Sequence, residues 1–328
     1  MQTNSFDQYG IDTFDSFKGI LILFIVIGHI NQLMIGYSFG ILYAFHVSSF
    51  LFIPFLFNND LLNKKNLLKI LKRYYIPFFI FIIINTVIFT IFLKSETSFL
   101  SLIQVLFFGT RDYLRETTGS MYLWFFPTLI TTLILIMIVN SFFKNHKKYL
   151  FILMYIFHLT LGLIPNQKLM NLPLGLAISL YIFSLGMIVS YLYNNKIFTI
   201  EKYIKYIIVL FLISLMYLYG NVYNLGSIVI PDISSLNNII SLDIAMITGF
   251  FTILYISKKV KNDYLIYLGK NSIVIFTIHT IFIYALNYMF KSNTIYFGLF
   301  VFIVTISCSL VYSKVIIKFN LKKYIYPR

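Results

Sequence analysis

Ten apolar runs, each close to twenty residues long, follow one another along the chain, with lysine and arginine gathered in every second gap. Hydrocarbon offers a backbone no hydrogen-bond partner. A segment of that length therefore satisfies its own N–H and C=O groups by coiling into a helix. The runs extend over about 17–36, 39–57, 75–94, 121–140, 149–165, 174–193, 203–220, 240–257, 271–290 and 295–317. The period-two alternation of a membrane barrel is absent. The expectation is an all-α fold, a polytopic transmembrane helical bundle of about ten spans. It would form a single membrane domain over residues 1–328 with no appended soluble domain. The opening MQTNSFDQYGIDTFDSF has no basic leader and no small-residue cleavage site, so the first run reads as a retained span.

The basic residues orient the bundle. With the amino terminus cytoplasmic, Lys18, the cluster at 64–73 and the cations near 144–148, 196–205, 258–270 and 314–328 all fall inside. Of 26 lysines and arginines, only Lys94, Arg111, Arg115, Lys168 and Lys291 fall outside. This is the positive-inside pattern with both termini cytoplasmic, and an error of one span would scramble it. It also accounts for the net charge of +15 without nucleic acid, which is not expected as a partner. The chain is 59% hydrophobic and 11% charged, with a mean hydropathy of +0.85. A soluble domain carries about 25% charged residues. A single cysteine, Cys308, excludes an intrachain disulfide and a cysteine metal site. The abundance of Ile, Asn, Lys and Tyr hints at AT-rich coding and so at a multi-pass protein of a bacterial cytoplasmic membrane.

Polar residues inside apolar runs mark the candidate site. Residues 15–37 read DSFKGILILFIVIGHINQLMIGY. Asp15 and Lys18 are neighbours at i, i+3 and can pair. Lys18 and His29 are eleven residues apart, which puts them within about 20° of one helix face and roughly 16 Å apart along it. Lys18 either meets an anionic ligand or anchors the helix by snorkelling to the headgroups. His29, His46 and His158 each lie about seven residues from the outer end of a run, and His279 lies nearer the middle of the ninth. A histidine in hydrocarbon is a functional hypothesis by default. The alternative is a hydrogen bond to a carbonyl or hydroxyl, which is the expectation for His158. No carboxylate or HxxxH pair accompanies these residues within a run, so no metal is expected. His146 sits in a basic loop and reads as solvated. Residues 95–120 and 221–239 are long outer segments, either a vestibule over a site or plain connectors.

Five stretches in order carry a resemblance. IDTFDSFKGILILFIVIGH resembles the start of the acyltransferase-3 family of polytopic membrane acyltransferases, with Lys18 and His29 in the family's spacing of a basic residue, ten residues and a histidine. AFHVSSFLFIPFLF is similar to the second-span pattern, with His46 at the histidine position and Pro54–Phe55 where Ser-Gly is usual. KILKRYYIP resembles the basic cytoplasmic loop, with Lys69 and Lys72 where arginines are common and Arg73 as arginine. MYLWFFPTLI resembles the fourth-span start, with Trp124 and Phe125 matching, although a lone tryptophan there also suits an interfacial belt. YLGKNSIVIFTIH is similar to the closing pattern of the fucose/glucose O-acetylase-like branch, with Gly269, Lys270, Asn271, Ser272 and His279 matching.

The resemblance implies a membrane O-acyltransferase that moves acetyl, or another short acyl group, from cytoplasmic acyl-CoA to a hydroxyl of a cell-envelope carbohydrate. Acetyl-CoA is then a donor substrate, and no resident cofactor or metal is implied. The acceptor is a surface polysaccharide or lipid-linked sugar, reached from surrounding membrane lipid. The catalytic group is His29, Lys18, His46 and Asp15, with His29 as general base or as an acyl-histidine nucleophile. Lys69, Lys72 and Arg73 would meet the donor phosphates. Trp124, Asn271, Ser272 and His279 would contact substrate. No Gly-x-Ser-x-Gly elbow is present to support a serine mechanism. The competing reading is a polytopic transporter, flippase or polymerase of envelope polysaccharide. Transfer from labelled acetyl-CoA discriminates between the two.

Overall fold

The computed structural model describes residues 10–34, 42–93, 99–109, 114, 118, 121–143, 147–162, 172–194, 199–221 and 236–327. Among them every regular element is helical. In chain order these are α1 (Ile11–Gly28), α2 (His46–Phe57), α3 (Lys64–Ile70), α4 (Ile76–Leu93), α5 (Phe99–Phe108), α6 (Phe125–Phe142) and α7 (Lys147–Gly162). They continue as α8 (Leu176–Asn194), α9 (Ile200–Asn221), α10 (Leu236–Lys259), α11 (Asp263–Lys270), α12 (Ser272–Phe290), α13 (Ile295–Lys318) and α14 (Lys322–Ile325). Each of the ten expected runs overlaps one of these helices. Among the described residues six stretches, Tyr122–Phe142, Pro173–Asn194, Ile200–Tyr219, Leu236–Lys259, Ser272–Phe290 and Ile295–Lys318, are long and apolar enough to cross a membrane. The chain is a multi-pass, all-helical membrane protein.

Two compact units result, Met1–Leu56 with Ile188–Val315, and Phe57–Met187 with Ile316–Arg328. The first is built around α1. Phe14, Phe17, Leu21, Ile25 and the neighbouring Ile22 and Val26 are buried, so the helix is covered on more than one side. The Phe17 ring meets Phe250 of α10 at 5.0 Å, and Phe250 meets Phe52 of α2 at 6.0 Å. Phe45 closes the same core against Phe24 and Phe211 at 5.8 and 5.1 Å. Edge-on aromatic pairs of this kind add to plain area burial.

Glycines set how closely α11 approaches α1. A Cβ built on Gly19 would lie 2.1 Å from the Leu265 carbonyl oxygen, and one on Gly269 would lie 1.7 Å from that of Asp15. The two backbones touch, and only hydrogen fits at either point. Beyond Gly269 the chain turns sharply at Asn271. Its side-chain nitrogen donates to the Tyr267 carbonyl at 2.8 Å, and its Oδ1 accepts the Ser313 hydroxyl of α13 at 2.6 Å. The elbow between α11 and α12 is therefore tied to α13 by a buried bond.

α1 departs from its expected run. It starts at Ile11, after Gly10 with a φ of 72°, and stops at Gly28. The polar first turn is held by side chains that a hydropathy scan discards. Asp12 pairs with Lys261 at 3.3 Å, and Asp15 with Lys18 at 2.6 Å. At the other end the ladder tightens, with Ile30 N–H reaching the Ile27 carbonyl at 3.0 Å, and a 3-10 turn follows at Asn31–Leu33.

The second unit carries the basic segment. Asn63 caps α3 by accepting from Asn66 N–H at 2.9 Å. The preceding loop is fastened to the end of α6, where Ser141 accepts from Leu62 N–H at 2.7 Å and Asn140 donates to the Asn58 carbonyl at 3.1 Å. Between α3 and α4 the helix widens to a π turn over Leu71–Tyr75. Pro77 supplies the cause, because its ring crowds the carbonyl four residues back, that of Arg73.

Candidate active site

The histidines of the first unit converge. The rings of His29 and His279 lie 5.0 Å apart, centre to centre, at 48°. His29 is the C-cap of α1, so it sits where the helix has run out of intrahelical partners. His279 is fully buried on α12. Its Nδ1 donates to the Phe276 carbonyl at 2.8 Å, with Ile275 at 3.2 Å. A carbonyl only accepts, so Nδ1 carries the proton, and Nε2 of the neutral ring carries a lone pair.

His46 stands at the start of α2 and is buried. Its Nδ1 donates to the Leu42 carbonyl, which fixes the same tautomer. Tyr43 links it to α1. The tyrosine ring lies 4.8 Å from the His46 ring, and its edge is 3.3 Å from where a Cβ on Gly28 would be. His29 lies within electrostatic reach of both His46 and His279. Among the described residues no group of three or more His, Cys, Asp or Glu is placed to hold a metal ion.

Lys18 lies down α1 from this cluster, its Nζ 2.6 Å from Asp15 Oδ1, with the carboxylate buried and the ammonium partly exposed. Eleven residues separate it from His29, roughly 16 Å of helix. The close contact of Gly269 with the Asp15 carbonyl puts the GKNS stretch beside this ion pair. Asn271 is committed to the elbow bonds, and Ser272 opens α12, half-buried.

The other candidates belong to the second unit. Lys69, Lys72 and Arg73 are exposed on the end of α3 and the π turn that follows it. Lys69 faces Asp60 at 3.5 Å, and the Arg73 guanidinium lies over the Tyr74 ring at 5.3 Å. Trp124 is half-buried, ends the 3-10 turn Met121–Trp124 and packs edge-on to Phe125 at 6.4 Å. His158 donates from Nδ1 to the Tyr181 carbonyl at 2.8 Å and lies 3.9 Å from that ring. It ties α7 to α8, the role its environment in the sequence suggests. His146 and most of the outer segments, including 110–113, 115–117 and 222–235, lie outside the described residues.

Two features of the cluster escape a reading of the sequence. Counting depth along straight spans sets His279 deeper than His29, whereas the early end of α1 brings the rings together. Gln32, on the turn after His29, donates from Nε2 to Asn287 Oδ1 at 2.8 Å and to the Ser292 carbonyl at 3.0 Å. The only signal for it is an amide within an apolar run.

A comparison with protein families matches the acyltransferase-3 model, an acyltransferase domain, over residues 11–314. Comparisons with curated proteins and with solved structures find no match.

Proposed function

From the acyltransferase-3 family, to which this chain belongs, we propose a membrane O-acyltransferase that moves acetyl or another short acyl group from cytoplasmic acyl-CoA to a hydroxyl of a cell-envelope carbohydrate. The acyltransferase activity follows from the family.

The observation that carries it is His29 at the end of α1, facing His279. A general base must take a proton from the attacking hydroxyl without being saturated by protons beforehand, and imidazole suits that near neutral pH. The negative end of the α1 dipole favours the imidazolium formed as the proton arrives. The tautomer held by Phe276 makes His279 Nε2 an acceptor, suited to orient an N–H of the His29 ring. The step balances. The hydroxyl oxygen bonds to the thioester carbonyl carbon as His29 takes its proton. The C–S bond then breaks, and the thiolate recovers the proton as CoA leaves.

The exposed Lys69, Lys72 and Arg73 suit the phosphates of the donor, since cations on a cytoplasmic face meet an anionic cytoplasmic ligand. His46 keeps the surroundings of His29 polar, and Asp15 fixes Lys18. Membranes of a bacterial cell given labelled acetyl-CoA test the reading. His29→Ala should lose transfer to envelope glycan while its amount in the membrane and its melting midpoint match wild type. Wild-type levels of O-acetylated glycan in that variant would remove His29 from the mechanism.

A further inference from the structure

Gln32 follows His29 by three residues, on the turn Asn31–Leu33. Its amide is fixed in orientation. The group facing the Ser292 backbone carbonyl at 3.0 Å must be a donor, so the NH2 end points there and to Asn287, and the two ends of the amide cannot be exchanged. Oε1 points the other way. It is shielded from solvent and, among the described residues, has no hydrogen-bond partner. The stem is held as well, because a Cβ built on Gly298 of α13 would lie 2.8 Å from Gln32 Cβ and 3.0 Å from Leu33. The turn after α1, the end of α12, the loop beyond it and α13 thus grip one amide and leave its acceptor unused.

A buried acceptor without a donor is costly, and this side chain cannot rotate to find one without giving up two bonds. A ligand hydroxyl supplies the missing donor. The ligand is neutral at this point, since an amide oxygen repels a carboxylate or phosphate. A tight turn rises about 2.0 Å per residue, so Gln32 lies roughly 6 Å along the chain from His29. One sugar ring bridges that span, with one hydroxyl at His29 and another at Gln32.

We propose that Gln32 Oε1 is an acceptor subsite, taking a hydrogen bond from a second hydroxyl of the sugar or polyol whose neighbouring hydroxyl is acylated at His29. This rests on the acyl-transfer reading above. A site built to bond a hydroxyl discriminates strongly in favour of ligands that carry it, because otherwise its polar group stays unpaired. Water, as an alternative acceptor for the acyl group, does not need the subsite.

The test uses the full-length protein in its own membranes with labelled acetyl-CoA, and follows two products: acetyl on envelope glycan and acetate released by hydrolysis. Gln32→Met keeps the size of the side chain and removes the acceptor. Gln32→Asn, a methylene shorter, cannot hold the clamp and offer the acceptor together, and it serves if the first variant does not fold. Asn287→Asp keeps an acceptor for Gln32 Nε2 and is the control. Each Gln32 variant should lower transfer to glycan by about tenfold or more, with the KM for acetyl-CoA and the rate of acetate release unchanged. Asn287→Asp should retain transfer. Equal loss of glycan transfer and hydrolysis would make Gln32 a prop for His29 and overturn the subsite. Unchanged glycan transfer would overturn it too. If wild-type membranes exceed His29→Ala in neither product, the acyl-transfer reading fails, and the subsite falls with it.

Discussion

Gly269→Ala asks whether α1 and α11 touch through their backbones. The added Cβ would stand 1.7 Å from the Asp15 carbonyl oxygen, 2.6 Å from its carbon and 3.0 Å from its Cα. Carbon and carbonyl oxygen ordinarily approach to about 3.3 Å, so the helices must part by roughly 1.6 Å. No rotamer relieves the clash, because all three atoms are main chain. Overpacking typically costs 1–3 kcal/mol, and an unyielding backbone contact belongs near about 3 kcal/mol. Alanine returns roughly 1 kcal/mol by its better helix propensity, leaving about 2 kcal/mol. For a unit of this size that lowers the melting midpoint by about 4–8 °C. The displacement falls on Asp15, which holds Lys18, so acyl transfer should drop further than stability alone explains. A misplacement near 1 Å can cost about a hundredfold.

Gly28→Ala is the matched control. Its nearest neighbour is the Tyr43 ring edge at 3.3 Å, which a small swing relieves. The melting midpoint of Gly28→Ala should stay at or slightly above wild type. Both variants are measured in detergent by thermal melting and by acetyl transfer. A Gly269→Ala protein that melts with wild type and transfers acetyl normally would refute the backbone contact and the argument built on it.

Three further outcomes are expected. Replacing Lys69, Lys72 and Arg73 together by Gln should raise the KM for acetyl-CoA and weaken its dependence on salt, with no change in melting, because these exposed cations contribute little to stability. An unchanged KM in membrane vesicles would remove their donor role. His158→Phe should cost about 1–2 kcal/mol by losing the bond to the Tyr181 carbonyl, while activity per folded molecule stays at wild type. Loss of activity without loss of stability would reverse that assignment. Asn271→Ala should lower the melting midpoint by stranding the Ser313 hydroxyl, and Asn271→Asp should restore most of it by returning an acceptor. Equal melting of the two variants would show that the Ser313 bond contributes nothing.

The helices were legible because hydropathy and length are local properties. Each apolar run holds a helix, and the i, i+3 spacing of Asp15 and Lys18 gives the ion pair that forms. The ends of α1 were not legible, for the opposite reason. Asp12 and Asp15 look like the end of a membrane run until Lys261 and Lys18 are seen to neutralise them. Lys261 lies far along the chain, and a single sequence does not reveal that partner. Gly269 shows the same limit within a motif. YLGKNS stands out as a pattern, but the need for glycine arises at Asp15, on another helix.

The same reasoning separates four histidines that look alike in apolar runs. His46, His158 and His279 each spend Nδ1 on a backbone carbonyl, which removes one nitrogen from chemistry and fixes the other as a lone pair. His158 turns its ring face to Tyr181, and its role ends in packing. His279 turns towards another imidazole. His29 differs in kind, because it caps a helix. A residue within a straight span is surrounded by its own helix, whereas a cap is held on one side only. α1 ends at that cap, and the tight turn at Asn31–Leu33 follows it. The helix thus ends where the His29 ring meets His279, and Gln32 follows on the turn just beyond.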